Sequence, residues 1–414
     1  MIKNRLLLLF FIVNIVIYAQ SPDTSTPIRI ILNLTERPSS EIAVTWRTTS
    51  EVTEPKIQIA ESEQWIEFKE KAVTVVAVKE KFLTDRSKTV FHYSAVIKDL
   101  KANTMYLYRV GSDSIWSEWN QFTTAKNTIE PFTFTFFGDP QNDLKEHCSR
   151  MFRQAFKTSP NSKFWLFTGD LISEPVDKQY EELFFAAEPF FSMIPSIMTA
   201  GNHDIDFLTK DGQFILDEKG RKKRGKEVSS IYRAHFTLPE NGLAGFEESS
   251  YYIDYQGVRI IMINSNKKDK LSEPALWMEK LLQNNKCKWV IVAFHHPIYS
   301  SGDERDDLDT RKAFQPLFDK YDVDLVLTGH DHTYSRSRKI KDGQPVEDVE
   351  KGTVYVVSVS GPKMYSVNSS YKNLMVKVGG NVQLFQTIGF EGDKLSFKSY
   401  TVEGKLYDSF ELHK

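Results

Sequence analysis

Five short apolar runs in this 414-residue chain feed into loops that carry the side chains of metal-ion chemistry. Phe132–Phe137 leads to Gly138-Asp139-Pro140-Gln141, Phe164–Thr168 to Gly169-Asp170, and Ile197–Thr199 to Gly201-Asn202-His203-Asp204. Lys288–Phe294 leads to His295-His296-Pro297, and Leu325–Leu327 to Gly329-His330-Asp331-His332. Short apolar runs rich in β-branched and aromatic residues, bounded by turn residues, read as buried strands. Side chains just past the carboxyl ends of such strands sit where open α/β sheets bind ligands. Glycine ahead of Asp139, Asp170, Asn202 and His330 lets the backbone turn sharply or pass close to an ion or phosphate. One Gly-Asp after a strand is an ordinary turn. Five junctions in sequence, each bearing Asp, Asn or His, describe one sheet edge built around a dinuclear metal site.

Between these runs the apolar spacing becomes helical: Asn142–Lys157, a stretch near Asp177–Phe191, one opened by Ser272 as N-cap, and one near Thr310–Lys320. The C-terminal part, Thr353–Val359 and Val382–Leu412, returns to strands. Strands alternating with helices predict two packed sheets flanked by helices, an α/β/β/α domain over 131–414. Ahead of it, Ile28 to Thr124 shows strand alternation and little helical period, as in Glu41–Trp46 and Met105–Val110. Leu100–Tyr106 reads as the tyrosine corner of an all-β sandwich, with Trp46 as its core anchor, over 26–125. Residues 126–131 read as the linker.

The first residues are basic, and Leu6–Tyr18 is nearly continuous hydrocarbon before Ala19 and a polar stretch. That pattern is a secretory signal over 1–19, so the mature chain is expected to be exported, periplasmic or extracellular, with no membrane span after cleavage. A formal charge of −2 gives no general attraction to nucleic acid or anionic membranes. Two cysteines supply no disulfide framework; Cys148 lies on the apolar face of a helical pattern, and whether it pairs with Cys287 is open.

The set GD…GD…GNHD…HHP…GHDH resembles that of the calcineurin-like metallophosphoesterases, and with the preceding fibronectin type III-like sandwich the chain resembles the purple acid phosphatase branch. The resemblance implies that Asp139, Asp170 and His332 hold one ion, that Asn202, His295 and His330 hold the other, and that Asp170 bridges them. It implies His203 as the acid that protonates the leaving oxygen, with Asp204 either orienting it or capping the turn. His295 matches the ligand position ahead of Pro297, which leaves His296 a packing or supporting role. Oxygen and imidazole donors suit Mn, Zn, Fe or Mg, two ions in all and divalent by expectation. The branch's tyrosine ligand falls at Ser173, and the alternative histidine of its relatives falls at Gln141, which enters the ligand set as a neutral amide.

The reaction class expected is hydrolysis of a small phosphate ester, a monoester in preference, by a metal-activated water. A phosphodiesterase or nucleotide hydrolase on the same site, and a surface-binding protein with a weak metal domain, are the alternatives. No nucleic-acid polymer is expected as partner, and the acidic run Asp303–Asp309 agrees. The basic run Lys219–Lys226 reads as a solvated loop or as a lure for anionic substrate over the site. Trp116 and Trp119 read as packing, with a sugar platform as the alternative.

Overall fold

The computed structural model describes residues 24–347 and 351–414. The secretory signal read over 1–19 lies outside the described residues. No helix among the described residues is long and apolar enough to cross a membrane.

An N-terminal, mostly β domain precedes a mixed α/β domain, and two large sheets organise the latter. In the first, parallel strands Phe132–Phe137, Trp165–Phe167 and Ser196–Met198 lie side by side, extended on one flank by antiparallel Leu384–Glu391, Lys394–Thr401 and Leu406–His413. The second sheet has seven strands, with Val258–Ile263, Trp289–Phe294, Leu325–Thr328 and Val354–Val357 parallel at its centre. Side chains on these strands divide by the two-residue period. Ile260, Met262, Ile291, Ala293, Leu325, Leu327, Val354 and Val356 join the core between the sheets. Their neighbours Ile261, Ile263, Val290, Val292, Phe294, Val326 and Tyr355 join a second core under the helices Ser272–Gln283 and Leu308–Tyr321. A strand buried on both faces reads as a continuous apolar run, which is why these segments lack polar alternation. On the far side of the first sheet, Phe152 of the helix Ser149–Thr158 packs against Phe137 and Trp165. The four layers are therefore helix, sheet, sheet, helix.

The boundaries of two helices differ from the expected ones. The first begins as a π-helical turn, Leu144–Cys148, before Ser149–Thr158. Ser272 is the first helical residue and not the N-cap; Leu271 occupies that place, without a side-chain bond. In the last helix Asp307 caps instead, its carboxylate accepting from Thr310 N at 3.0 Å.

The tyrosine corner is present: Tyr106 Oη accepts from Lys101 N at 2.8 Å. Trp46 is buried and stacks on Tyr93. The faces of Trp116 and Trp119 hold the Arg109 guanidinium at 4.6 and 4.8 Å, so their packing role is occupied. One layer of this N-terminal domain, Ile28–Asn33, Ile42–Thr48, Thr89–Ile97 and Val78–Leu83, continues the first sheet of the α/β domain to ten strands among the described residues. The junction is parallel, Asn33 opposite Ser196, and Asn33 Nδ2 donates to Ser196 O at 2.9 Å. Asn33 Oδ1 accepts from Thr237 N at 3.1 Å, so one side chain ties three segments.

Candidate metal centre

Parallel strands place every predicted ligand at one edge, because all five junctions leave their strands at the carboxyl end. At four of the ligands the backbone is left-handed: φ is +29° at Asp139, +48° at Asp170, +70° at His330 and +52° at His332. Side chains other than glycine rarely adopt this region, and each such residue costs on the order of 1 kcal/mol or more. Strain of this kind persists where surrounding structure enforces it. The glycines fit the same account at two points. A Cβ on Gly329 would lie 1.9 Å from Asp139 Oδ1, and one on Gly201 would lie 2.2 Å from Asp170 Oδ1. Only glycine lets the carboxylates sit against these turns.

The donor atoms form two groups that share Asp170. Asp170, His295 and His330 make one and Asp139, Asp170 and His332 the other, with the donor atoms of each group within 4.8 Å of one another. His295 Nδ1 is engaged by Thr168 O at 2.9 Å, which leaves Nε2 to face inward. That Nε2 lies 3.0 Å from His330 Nδ1, 3.1 Å from Asn202 Oδ1 and 3.3 Å from Asp170 Oδ2. His332 Nδ1 donates to Lys363 O at 3.0 Å, so its Nε2 faces Asp139 Oδ2 at 3.4 Å. In each case a carbonyl on one ring nitrogen fixes which nitrogen turns to the cluster, the usual support of a metal-binding histidine. Asp139 accepts His330 N on both oxygens, at 2.8 and 2.9 Å, and Asp170 Oδ1 accepts His203 N at 2.7 Å.

The residues fit a pair of cations. Asp139 and Asp170 are both essentially inaccessible to solvent. Burial, reinforced by the neighbouring Asp170 charge, pushes Asp139 up to about 7. At Asp170 burial acts upward as well, but the positive charge of His295 and His203 outweighs it and holds the carboxyl below its ordinary range. The same two carboxylates overcome burial at His295 and raise it to about 9. A proton on His295 thus neutralises the carboxylates; a metal ion serves the same electrostatic end. Gln141 Oε1, Thr168 Oγ1 and Ser173 Oγ, all in the metal-binding loops, are buried without a hydrogen-bond partner. Unsatisfied buried donors and acceptors are few in folded proteins, and a bound ion is one of the ways they are accounted for.

Gln141 and Asp204 both lie against the ligand cluster. Gln141 is buried beside the ligand set, with its Oε1 unpartnered. Its Nε2 lies 2.9 Å from Asp170 Oδ2 and 3.0 Å from His332 Nε2, both acceptors, so the amide nitrogen turns inward and supports the shared carboxylate. Of the two roles open to Asp204, orienting His203 or capping the turn, the contacts are those of a cap. Its carboxylate accepts from Gly201 N at 2.8 Å and Leu171 N at 3.2 Å, stapling two metal-binding loops together. The His203 ring is held by Ser173 O instead, 2.6 Å from Nδ1. His296 packs on His330 and pairs through Nδ1 with Ser265 Oγ at 2.8 Å.

The basic run is a folded strap, with Arg224–Val228 paired to Ile205–Phe207. Its charges are largely engaged locally: Lys222 with Glu174, Lys226 with Asp269, and Arg224 with the carbonyls of Ser173, His203 and Ile205 at 2.9, 2.9 and 3.0 Å. Sequence reasoning missed the cations nearer the cluster, Arg305 and Lys363. The available signal was a lone arginine inside the acidic run Asp303–Asp309.

Residues 132–334 match the family described as Calcineurin-like phosphoesterase, and residues 27–124 match Purple acid Phosphatase, N-terminal domain. An uncharacterized protein of Mycobacterium tuberculosis is 24% identical over 374 residues, covering 78% of this chain and 67% of that protein. The Fe(3+)-Zn(2+) purple acid phosphatase 12 of Arabidopsis thaliana is 25% identical over 297 residues, covering 65% of this chain and 59% of its own length. Among solved structures, the purple acid phosphatase PPD1 from yellow lupin (Lupinus luteus) seeds superposes with a TM-score of 0.76 at 20% identity, covering 94% of this chain and 74% of its own. The chain thus spans 67% and 59% of the lengths of these two curated relatives.

Proposed function

Because the chain belongs to the calcineurin-like metallophosphoesterases of the purple acid phosphatase type, we propose that it hydrolyses small phosphate monoesters at the Asp/His cluster. The observation that carries this reading is the pair of donor groups sharing Asp170, with the His203 ring held beside them. Asp139, Asp170 and His332 would hold one ion; Asn202, His295, His330 and the shared Asp170 would hold the other. When bound, two such ions would polarise a phosphoryl group and lower the pKa of a coordinated water molecule.

The remaining work falls to the chain. His203 Nδ1 is tied to Ser173 O, which leaves Nε2 as the nitrogen that gives a proton to the departing oxygen. Burial lowers the pKa of His203 despite the opposing charge of Asp170. Asp204 keeps the second and third metal-binding loops in register, and Gln141 steadies the shared carboxylate. Ser173 and Gln141 offer no anionic donor, which favours a divalent ion such as Mn, Zn, ferrous Fe or Mg at the Asp139 position.

Residues 1–19 support export, and the catalytic domain is taken to begin at 131 and the β-sandwich to span 26–125. Chelator-reversible hydrolysis of aryl phosphate, with metal content measured alongside a panel of mono- and diesters, tests the reading. Turnover that persists without metal, or confined to diesters, would contradict it.

A further inference from the structure

A cavity of about 810 Å³ lies where the N-terminal domain meets the α/β domain, and none of the metal-binding residues lines it. One wall is the helix Asp177–Ala187. Its Asp177, Glu181, Phe184 and Phe185, with Glu188 at the C-cap, recur at the spacing of a single helix face. The facing wall comes from the sandwich strands, through Ile28, Arg29, Ile30 and Val90. Phe191 closes the apolar part beside Phe184. Phe185 is 48% exposed and Ile28 41%, so apolar surface is left open along the cavity.

Charge is unevenly placed in this cavity. The side chains of Arg29 and Arg47 are each 6% exposed, and both pair with Asp177. Asp177 takes Arg47 through the two terminal nitrogens. Arg47 Nε is left buried and without a hydrogen-bond partner among the described residues. Glu181 stands one turn further along the helix, but its ion pair is with Lys178 at 3.5 Å. One carboxylate is thus shared by two buried guanidiniums. Burial and the neighbouring Arg47 charge hold Arg29 below its ordinary value. Arg86 and Lys88 add positive charge to the lining. At the other end of the helix the sign reverses: burial, with the charge of Glu118, raises Glu188. Eleven helical residues separate the two ends by about 16 Å.

We propose that this cavity binds a small amphiphilic carboxylate, its head on Arg47 and its apolar body along Phe184, Phe185 and Phe191. The volume falls within the roughly 300–1,000 Å³ of small-molecule sites, and an apolar wall with a few placed polar groups is their usual make-up. A buried donor without a partner is unfavourable, and a ligand oxygen at Arg47 Nε satisfies it. A carboxylate brings the single negative charge that balances the second guanidinium. A phosphate dianion would bring a second charge against Asp177 and Glu181. Glu118 and Glu188 repel an anion at the far end, which fixes the direction in which the molecule lies. Because the two walls belong to different domains, a bound molecule ties the domains together and stabilises the folded chain.

The test is calorimetric titration of the full chain with octanoate, with 1-octanol and acetate as controls for the head and the body. Octanoate should bind saturably and raise Tm, and each control should bind about tenfold more weakly or worse. Arg47→Lys keeps a positive charge for Asp177 and removes the Nε–H. Phe185→Asp sets a like charge in the apolar wall, at a half-exposed position that tolerates it. Each variant should weaken octanoate binding about tenfold or more. Equal affinity for octanol and octanoate would overturn recognition of the carboxylate. Wild-type affinity in Phe185→Asp would overturn the cavity as the site, whether or not Arg47→Lys folds. An intact chain that binds no octanoate overturns the proposal outright.

Discussion

His203 and Ser173 are joined through the ring and not through the side chain of Ser173: Nδ1 of the histidine lies 2.6 Å from the serine carbonyl oxygen. The residue at the missing tyrosine's position thus still acts on the site, by its backbone. Arg224 donates to the same carbonyl at 2.9 Å, so a residue of the basic strap helps set the histidine's orientation.

His203→Ala is expected to retain both metals and to lower kcat by about 10²-fold on esters with poor leaving groups. Aryl esters with very acidic leaving groups need less protonation and should lose less. A leaving-group series at fixed metal content checks this; equal losses throughout would remove the proton-donor role.

Asp170→Asn is expected to lose metal and nearly all turnover. The amide keeps the shape of the shared ligand but removes the charge on which both donor groups depend. His330→Ala should lose the ion of its own group. Metal analysis of the purified variants decides, and wild-type content in either would refute the site.

The iron-reconstituted, oxidised protein should be colourless, since Ser173 supplies no phenolate for charge transfer to ferric ion. Ser173→Tyr tests whether the position alone restores it. A strong visible band in the unmutated protein would show that another residue supplies the phenolate.

Asp177 joins the two domains by pairing with Arg29 at 2.8 Å and with Arg47, and all three side chains are largely buried. Asp177→Ala strands two arginines without their shared counter-ion and should cost about 3 kcal/mol. Chemical denaturation would reveal it as a lower midpoint, whereas an unchanged midpoint would show the cluster to be energetically neutral.

Burial raises Glu248 to about 7 against a Leu238 N–H bond at 3.3 Å. A carboxyl that holds its proton more tightly when folded adds stability that is full below its unfolded value near 4.5 and is lost as pH rises through about 7. Glu248→Gln stays neutral throughout, so its advantage over wild type should grow across that window, to about 2–4 °C in Tm at pH 8. Thermal melts from pH 4 to 8 measure this; parallel curves for the two proteins would contradict the assignment.

The cluster was legible in sequence because its chemistry is concentrated at strand ends marked by glycine or proline. Asp139, Asp170, Asn202, His295, His330 and His332 come together as the motifs imply. For Asp204 the sequence left orienting and capping both open, because a short polar side chain beside a ligand serves equally well as partner or staple, and only backbone geometry chooses. Arg305 and Lys363 reach the site from loops far apart in sequence, with no period or spacing to announce them. The junction at Asn33 and Ser196 was hidden for a related reason. Strand periodicity reveals which residues are buried but not which strand lies alongside.

That junction makes the N-terminal domain a structural buttress. Cutting the chain at the linker would bare the hydrogen-bonding edge of Ser196–Met198, the strand that carries Asn202 and His203 towards the cluster. An unpaired edge of this kind invites pairing with other chains. The catalytic half made alone should therefore aggregate or lose its third metal-binding loop, and the intact chain should melt as one cooperative unit. Another accessory module could replace the sandwich only if it brought a strand to the same edge.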